Sequence, residues 1–210
     1  LQPMQGYIYA LTRGPSFNVY LYRTPDGGET WELVSDNSFG YHQNWACTEM
    51  LSFRGSLYAG VSNYFFSMDV FRINEDLSFD RVVHQGLDDT NLLFVQDMII
   101  FGSQLYVGSR GSISIDPRGA QLWRTSDGDN WEHVIENGFG NPDINSISHG
   151  TLAIFNDQLY AATGNYGSCP NTNIAGARLF RTVNRLPSPD QESMTLSTDH
   201  MTPVTITISG

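Results

Sequence analysis

Lysine is missing from this chain altogether. All eleven basic residues are arginine, they face 22 acidic ones, and the formal net charge is -11. Ordinary usage would supply roughly a dozen lysines at this length. A surface so short of positive charge repels polyanions, which argues against nucleic acid as a partner. Cysteine is scarce too, with Cys47 and Cys169 the only two. Both fall in expected loops, where a bridge or two free thiols remain open, because α-carbons more than about 7 Å apart cannot pair. No apolar run approaches the roughly 20 residues of a membrane-spanning helix. Leu1 opens directly into strand-like sequence, so no signal peptide is read there. No window sustains a 3.6-residue apolar period, so helices should be few. His42, His84, His133, His149 and His200 show no zinc spacing, and neither a phosphate loop nor a nucleophile elbow is present. What remains is 210 residues with 40% hydrophobic and 12% aromatic content, the composition of an ordered, acidic domain.

The chain repeats itself. Ile8-Tyr9-Ala10 returns as Leu57-Tyr58-Ala59, Leu105-Tyr106-Val107 and Leu159-Tyr160-Ala161, at intervals of about 50 residues. Leu21-Tyr22-Arg23-Thr24 returns in step as Val70-Phe71-Arg72-Ile73, Leu122-Trp123-Arg124-Thr125 and Leu179-Phe180-Arg181-Thr182. Trp31-Glu32-Leu33-Val34 returns as Phe79-Asp80-Arg81-Val82 and Trp131-Glu132-His133-Val134, and is lost from the fourth copy. Ahead of the Leu-Tyr pair stand Met50-Leu51-Ser52-Phe53, Met98-Ile99-Ile100-Phe101 and Leu152-Ala153-Ile154-Phe155. Each phrase is short, rich in β-branched and aromatic residues, and bounded by turn formers, so each predicts a strand. Four short strands per unit predict an all-β fold, a β-propeller of four-stranded antiparallel blades. The units are 1–49, 50–97, 98–150 and 151–203, with a terminal strand in 204–210 that closes the first blade or joins another chain.

One hairpin carries a resemblance. Thr24-Pro25-Asp26-Gly27-Gly28-Glu29-Thr30-Trp31 resembles the Asp box, Ser/Thr-x-Asp-x-Gly-x-Thr-Trp, and Ser126-Asp127-Gly128-Asp129-Asn130-Trp131 is a version one residue shorter. Thr24, Asp26, Gly28 and Trp31, with Asp127, Gly128 and Trp131, are its structural residues. In this logic Asp accepts backbone N–H bonds, Gly takes the positive φ, and Trp packs the hairpin on its blade. Asp boxes (BNR repeats) occur in sialidases, two-propeller endoglucanases, sorting receptors and secreted proteins without known activity. The resemblance therefore implies sialidase-like propeller architecture and leaves function open. Phe71-Arg72-Ile73-Asn74 looks like the Phe-Arg-Ile-Pro motif of sialidases but lies on a third strand, where that family has it on an innermost one. Arg23, Arg72, Arg124 and Arg181 recur at one position and are expected to bridge neighbouring blades.

Four units leave three arrangements open: a piece of a larger propeller, a closed four-bladed ring, or associated copies. Function is expected on the face carrying the long loops. There Tyr41, Trp45, Tyr64, Phe65, Phe66 and Tyr166 are candidates to stack on sugar rings or enter a partner's pocket. Asp88, Asp89, Asp116 and Asp143 are candidate carboxylates. A glycosidase needs two of them about 5–9.5 Å apart. With no assembled catalytic set visible, the expected function is a non-enzymatic, extracellular or cell-surface binding or structural module for glycan or protein, more binder than enzyme. The alternatives are a glycoside hydrolase or sialidase-like enzyme with a carboxylate pair, and a surface protein that self-assembles by strand addition through Val204–Ile208. No cofactor is expected, and the Asp-rich loops leave calcium open.

Overall fold

The repeated phrases are strands, and each sheet is wound from consecutive ones. The computed structural model describes residues 1–14, 18–41, 44, 46–63, 67–87, 90–111, 119–165 and 177–182, together with the backbone of 193–196 and 204–207. The chain divides into two compact units, Leu1–Val95 and Gln96–Gly210.

The first unit holds two four-stranded antiparallel sheets. One runs β1 (Gln2–Met4), β2 (Tyr7–Arg13), β3 (Val19–Thr24) and β4 (Glu32–Ser35) in spatial order. The other repeats the pattern with β5 (Ala46–Phe53), β6 (Ser56–Ser62), β7 (Asp69–Ile73) and β8 (Phe79–Val83). Alternation along each strand sends one residue set to each face. Met4, Tyr9 and Leu21 leave the first sheet to pack with Met50, Leu57, Ala59, Phe71 and Ile73 of the second in one core. Each such side chain, fully buried, contributes roughly 1.5–3 kcal/mol.

The second unit is built in the same way. β9 (Leu92–Phe101), whose first residues belong to the first unit, pairs with β10 (Gln104–Gly111), followed by β11 (Leu122–Thr125) and β12 (Glu132–Ile135). β13 (Ser146–Phe155), β14 (Gln158–Gly164) and β15 (Arg178–Arg181) follow, with β13 joined to β10 through Arg110 and Ser146. Phe101, Tyr106 and Leu122 pack with Leu152, Leu159, Ala161 and Phe180 in this unit's core. Val204–Thr207 (β17) pairs antiparallel with Ser193–Leu196 (β16) of the same chain. No helix among the described residues is long and apolar enough to cross a membrane.

Connections leaving the outermost strands share an uncommon device. Ser38, Phe39 and Gly40 all have positive φ, as do Gln85, Gly86 and Leu87, and Asn137, Gly138, Phe139 and Gly140. Each is one turn of left-handed helix, a conformation that costs an L-residue about 1–2 kcal/mol. The burial it gains explains its presence. Phe39 sits 4.8 Å from Phe71 and 5.1 Å from Phe79, ring centre to ring centre, and Phe139 stacks on Phe180 at 4.2 Å. The first and last of these turns thus push an aromatic ring onto the third strand of the following sheet.

The recurring arginines pair within their own sheets. Arg23 meets Glu32 at 2.7 Å, Arg72 meets Asp80 at 2.9 Å and Arg124 meets Glu132 at 3.2 Å. Each partner stands directly opposite on the adjoining outer strand. The expected bridging between blades is corrected for these ion pairs: cross-strand register puts the carboxylate beside the arginine before any neighbouring sheet is reached.

Candidate functional site

The two Asp-containing turns between third and fourth strands are built by hydrogen bonds. The Asp26 carboxylate accepts the Thr24 hydroxyl (2.6 Å), the Thr30 hydroxyl (2.6 Å) and the Thr30 N–H (3.0 Å). Those bonds, the Thr24 hydroxyl foremost, hold its carboxyl well below the usual carboxylate range. Gly28 takes a φ of 108° that a side chain would resist, and its N–H donates to the Thr24 hydroxyl. Asp127 accepts the Asn130 side-chain amide (2.7 Å) and the N–H groups of Asn130 (2.8 Å) and Asp129 (2.9 Å), which lower its carboxyl in the same way. Gly128 also has positive φ. Trp31 remains 45% exposed, so it covers the turn only in part, while Trp131 is half-buried.

Of the candidate ligand-binding residues, Tyr41 lies among those described. Its ring is 4.3 Å from the Arg81 guanidinium carbon and 5.5 Å from Phe71. Arg81 in turn donates to both oxygens of the buried Asp69 at 2.8 Å, and Asp69 also accepts the Gln85 N–H at 3.0 Å. Burial outweighs the guanidinium and holds the Asp69 carboxyl above its usual range. The result is an exposed ring fixed on a buried ion pair. Asp143 is half-buried, its N–H bonded to the Asn141 side chain at 3.0 Å. Trp45, Tyr64, Phe65, Phe66, Asp88, Asp89, Asp116, Tyr166 and Cys169 lie outside the described residues, and so does the side chain of Cys47. Among the described residues no group of three or more His, Cys, Asp or Glu could hold a metal ion.

A carboxylate absent from the sequence expectations stands out in the second unit. Asp97, on β9, is 5% exposed and accepts the Leu152 N–H of β13 at 2.6 Å. Strand β13 is irregular there, its pairing with β14 slipping between Ile147 and Leu152. The Thr151 hydroxyl donates to the Ser148 carbonyl at 2.7 Å, with the Ala162 carbonyl at 2.9 Å, closing the bulge. His149 is exposed on it. Burial pushes the Asp97 carboxyl up, against the N–H bonds from Leu152 and Met98 and the nearby His149. Bulges of this kind recur beside functional sites. The signal was present in the sequence: Asp97 precedes Met98 just as Glu49 precedes Met50, with Thr151 before Leu152 in the next copy. An acid or hydroxyl thus opens the same strand phrase three times, where the apolar residues drew attention first.

No protein-family model matches the chain, and no curated protein matches it by sequence. Solved structures do match in shape. An α-L-arabinanase of Penicillium chrysogenum, solved with arabinobiose, superposes with a TM-score of 0.50 at 17% identity, over 86% of this chain and 60% of that one. A GH74 xyloglucanase of Xanthomonas campestris gives 0.54 at 16% identity, over 91% of this chain and 28% of that one. A GH93 α-L-arabinofuranosidase of Fusarium graminearum, also with arabinobiose, gives 0.50 at 12%, over 89% and 62%.

The fold is a β-propeller.

The chain spans 60% of the arabinanase's length and less than a third of the xyloglucanase's. The three structures named here are glycoside hydrolases, which overturns the expectation of a non-enzymatic module and of a chain more binder than enzyme. That expectation rested on finding no assembled catalytic set. A propeller gathers such a set from separate blades, so no local motif announces it.

Proposed function

We propose that this chain is the propeller, or part of the propeller, of a secreted glycoside hydrolase, with glycan as its substrate. The carrying observation is Asp97, a buried carboxyl bonded to the irregular strand of the adjoining blade, with its protonation shifted upward. A carboxyl whose protonated form is favoured by burial shares a property with the acid that protonates a glycosidic oxygen. Asp97 is assigned that role. The second carboxylate is sought at Asp116 or Asp143, in the same unit as Asp97, and the loop aromatics are proposed for stacking on sugar rings. The glycoside hydrolases of like fold support the reading, two of them solved with arabinobiose. Within it, the Asp26 and Asp127 turns are Asp boxes, the units 1–49, 50–97, 98–150 and 151–203 are successive blades, and hydrolysis requires no cofactor. An acidic, lysine-free exterior suits a protein working outside the cell.

The test is reducing-sugar release from arabinan, xyloglucan and galactan by the purified chain. Turnover should fall by roughly 100-fold or more in Asp97→Asn, a change that keeps the oxygen accepting the Leu152 N–H. Absence of turnover on every glycan would overturn the enzymatic reading. Full turnover in Asp97→Asn would overturn the assigned role.

A further inference from the structure

We infer, resting on the reading of Asp97 as the acid, that Thr151 is its positioning residue: the Thr151 hydroxyl closes the bulge of β13 that aims the Leu152 N–H at the Asp97 carboxyl. Strand β13 pairs with β14 through Ile147 opposite Thr163, and again from Leu152 opposite Ala161. Between those two pairs β14 has Ala162 alone, whereas β13 has Ser148, His149, Gly150 and Thr151. The same strand of the second repeat, β5, slips only at Thr48, between Cys47 and Glu49. The wide bulge belongs to the strand that meets Asp97.

A bulge this wide takes backbone carbonyls out of the ladder, and they need other donors. Thr151 serves two of them. Its single hydroxyl proton is shared between the Ser148 carbonyl at 2.7 Å and the Ala162 carbonyl at 2.9 Å. The first bond turns back three residues along β13, and the second ties the bulge to β14. Gly150 makes the reversal with a φ of 65°, and nothing lies within 4 Å of where its Cβ would stand. Leu152, next along the chain, is thereby held with its N–H donating to Asp97 Oδ2 at 2.6 Å. Thr151 stands at the repeat position of Glu49 and of Asp97 itself. An ionised carboxylate there accepts hydrogen bonds only, so it could not close the bulge. Burial favours the protonated form of Asp97, and the N–H groups of Leu152 and Met98 oppose it. So does His149, the titratable group that the bulge brings near, which is exposed.

Carboxyl-carbon NMR titration of the full chain tests it, with the Asp97 resonance identified by its loss in Asp97→Asn. In the wild type the Leu152 amide proton should shift with the same midpoint as the Asp97 carboxyl. In Thr151→Val the Asp97 midpoint should rise by about one pH unit, the contribution of one N–H bond to a charged acceptor. The Leu152 amide should then cease to follow it. Thr151→Ser keeps the hydroxyl and should restore both readings. His149 is the same in all three proteins, so its own titration does not separate them. On a glycan that the wild type hydrolyses, kcat should fall roughly tenfold or more in Thr151→Val, with KM little changed, and recover in Thr151→Ser. A wild-type Leu152 amide that ignores the Asp97 titration overturns the inference and requires no variant to fold. An Asp97 midpoint that is unmoved or lowered in Thr151→Val, or not restored in Thr151→Ser, overturns it as well. Absence of turnover on every glycan overturns the acid reading alone, because the titrations are read without substrate.

Discussion

Phe139 stacks face to face on Phe180, their ring centres 4.2 Å apart. One ring belongs to a left-handed turn and the other to the third strand of the blade that follows. Phe139 is 3% exposed and Phe180 1%. Phe139→Ala removes the plug and leaves the strained turn with nothing to offset it. Urea unfolding should show a loss of about 3–5 kcal/mol, while Phe139→Leu, which still fills the space, should lose far less.

Arg81 and Asp69 form a buried pair whose members differ in what they can survive losing. Arg81→Met leaves the Asp69 carboxylate buried without its cation, at a cost of roughly 3–5 kcal/mol near neutral pH. Asp69 already lies above the usual carboxylate range, so the native state holds its proton more tightly than the unfolded chain. A raised carboxyl contributes stability below its unfolded value and loses it as pH rises through the folded one. The deficit of Arg81→Met should therefore shrink as pH falls. A deficit equal at pH 4 and pH 7 would contradict this account.

Asp26 and Asp127 predict the opposite slope. Both carboxyls are lowered by hydroxyl, amide and backbone donors, so their contribution is complete above the ordinary carboxylate value of about 4 and is lost as pH falls through the folded one. Asp26→Asn with Asp127→Asn should lower the thermal midpoint at pH 7 and flatten its decline in acid. Differential scanning calorimetry between pH 2 and pH 7 measures both effects.

Gly60 and Gly108 sit at one repeat position, and each is pressed by the strand that follows. A methyl group on Gly60 would meet Val95 Cγ1 at 2.6 Å and Cβ at 3.0 Å, while on Gly108 its nearest neighbour is the Ile147 Cδ1 tip at 2.9 Å. Val95 is met at its branch point, which χ1 holds fixed, whereas Ile147 is met first at its Cδ1 tip, which can turn about χ2. Gly60→Ala should cost about 1–3 kcal/mol and Gly108→Ala less, a ranking that chemical denaturation resolves.

Much of this was legible in the residues. The Leu-Tyr, aromatic-Arg and Trp-Glu phrases became adjoining strands in the expected order, because alternation and turn chemistry act locally. The Asp26 turn was readable from spacing alone, since all its bonds fall within seven residues. The left-handed turns were not. Asn37-Ser38-Phe39-Gly40 and Asn137-Gly138-Phe139-Gly140 repeat almost letter for letter, yet propensity gives no reason to place a phenylalanine at positive φ. Only the cavity above Phe71 or Phe180 supplies it. Asp97 escaped for a related reason. Its partner, the Leu152 N–H, lies 55 residues away and has no side-chain signature.

The left-handed connectors carry one last implication. Around Ser38–Gly40 and Asn137–Gly140 the backbone has the handedness natural to the mirror-image amino acids. A chain assembled by chemical ligation with D-asparagine at position 137 should fold with that residue unstrained and outlast the all-L protein on heating. The same D-residue inside β10 should be ruinous. The joints between blades are thus the places where this protein would accept inverted stereochemistry as an improvement.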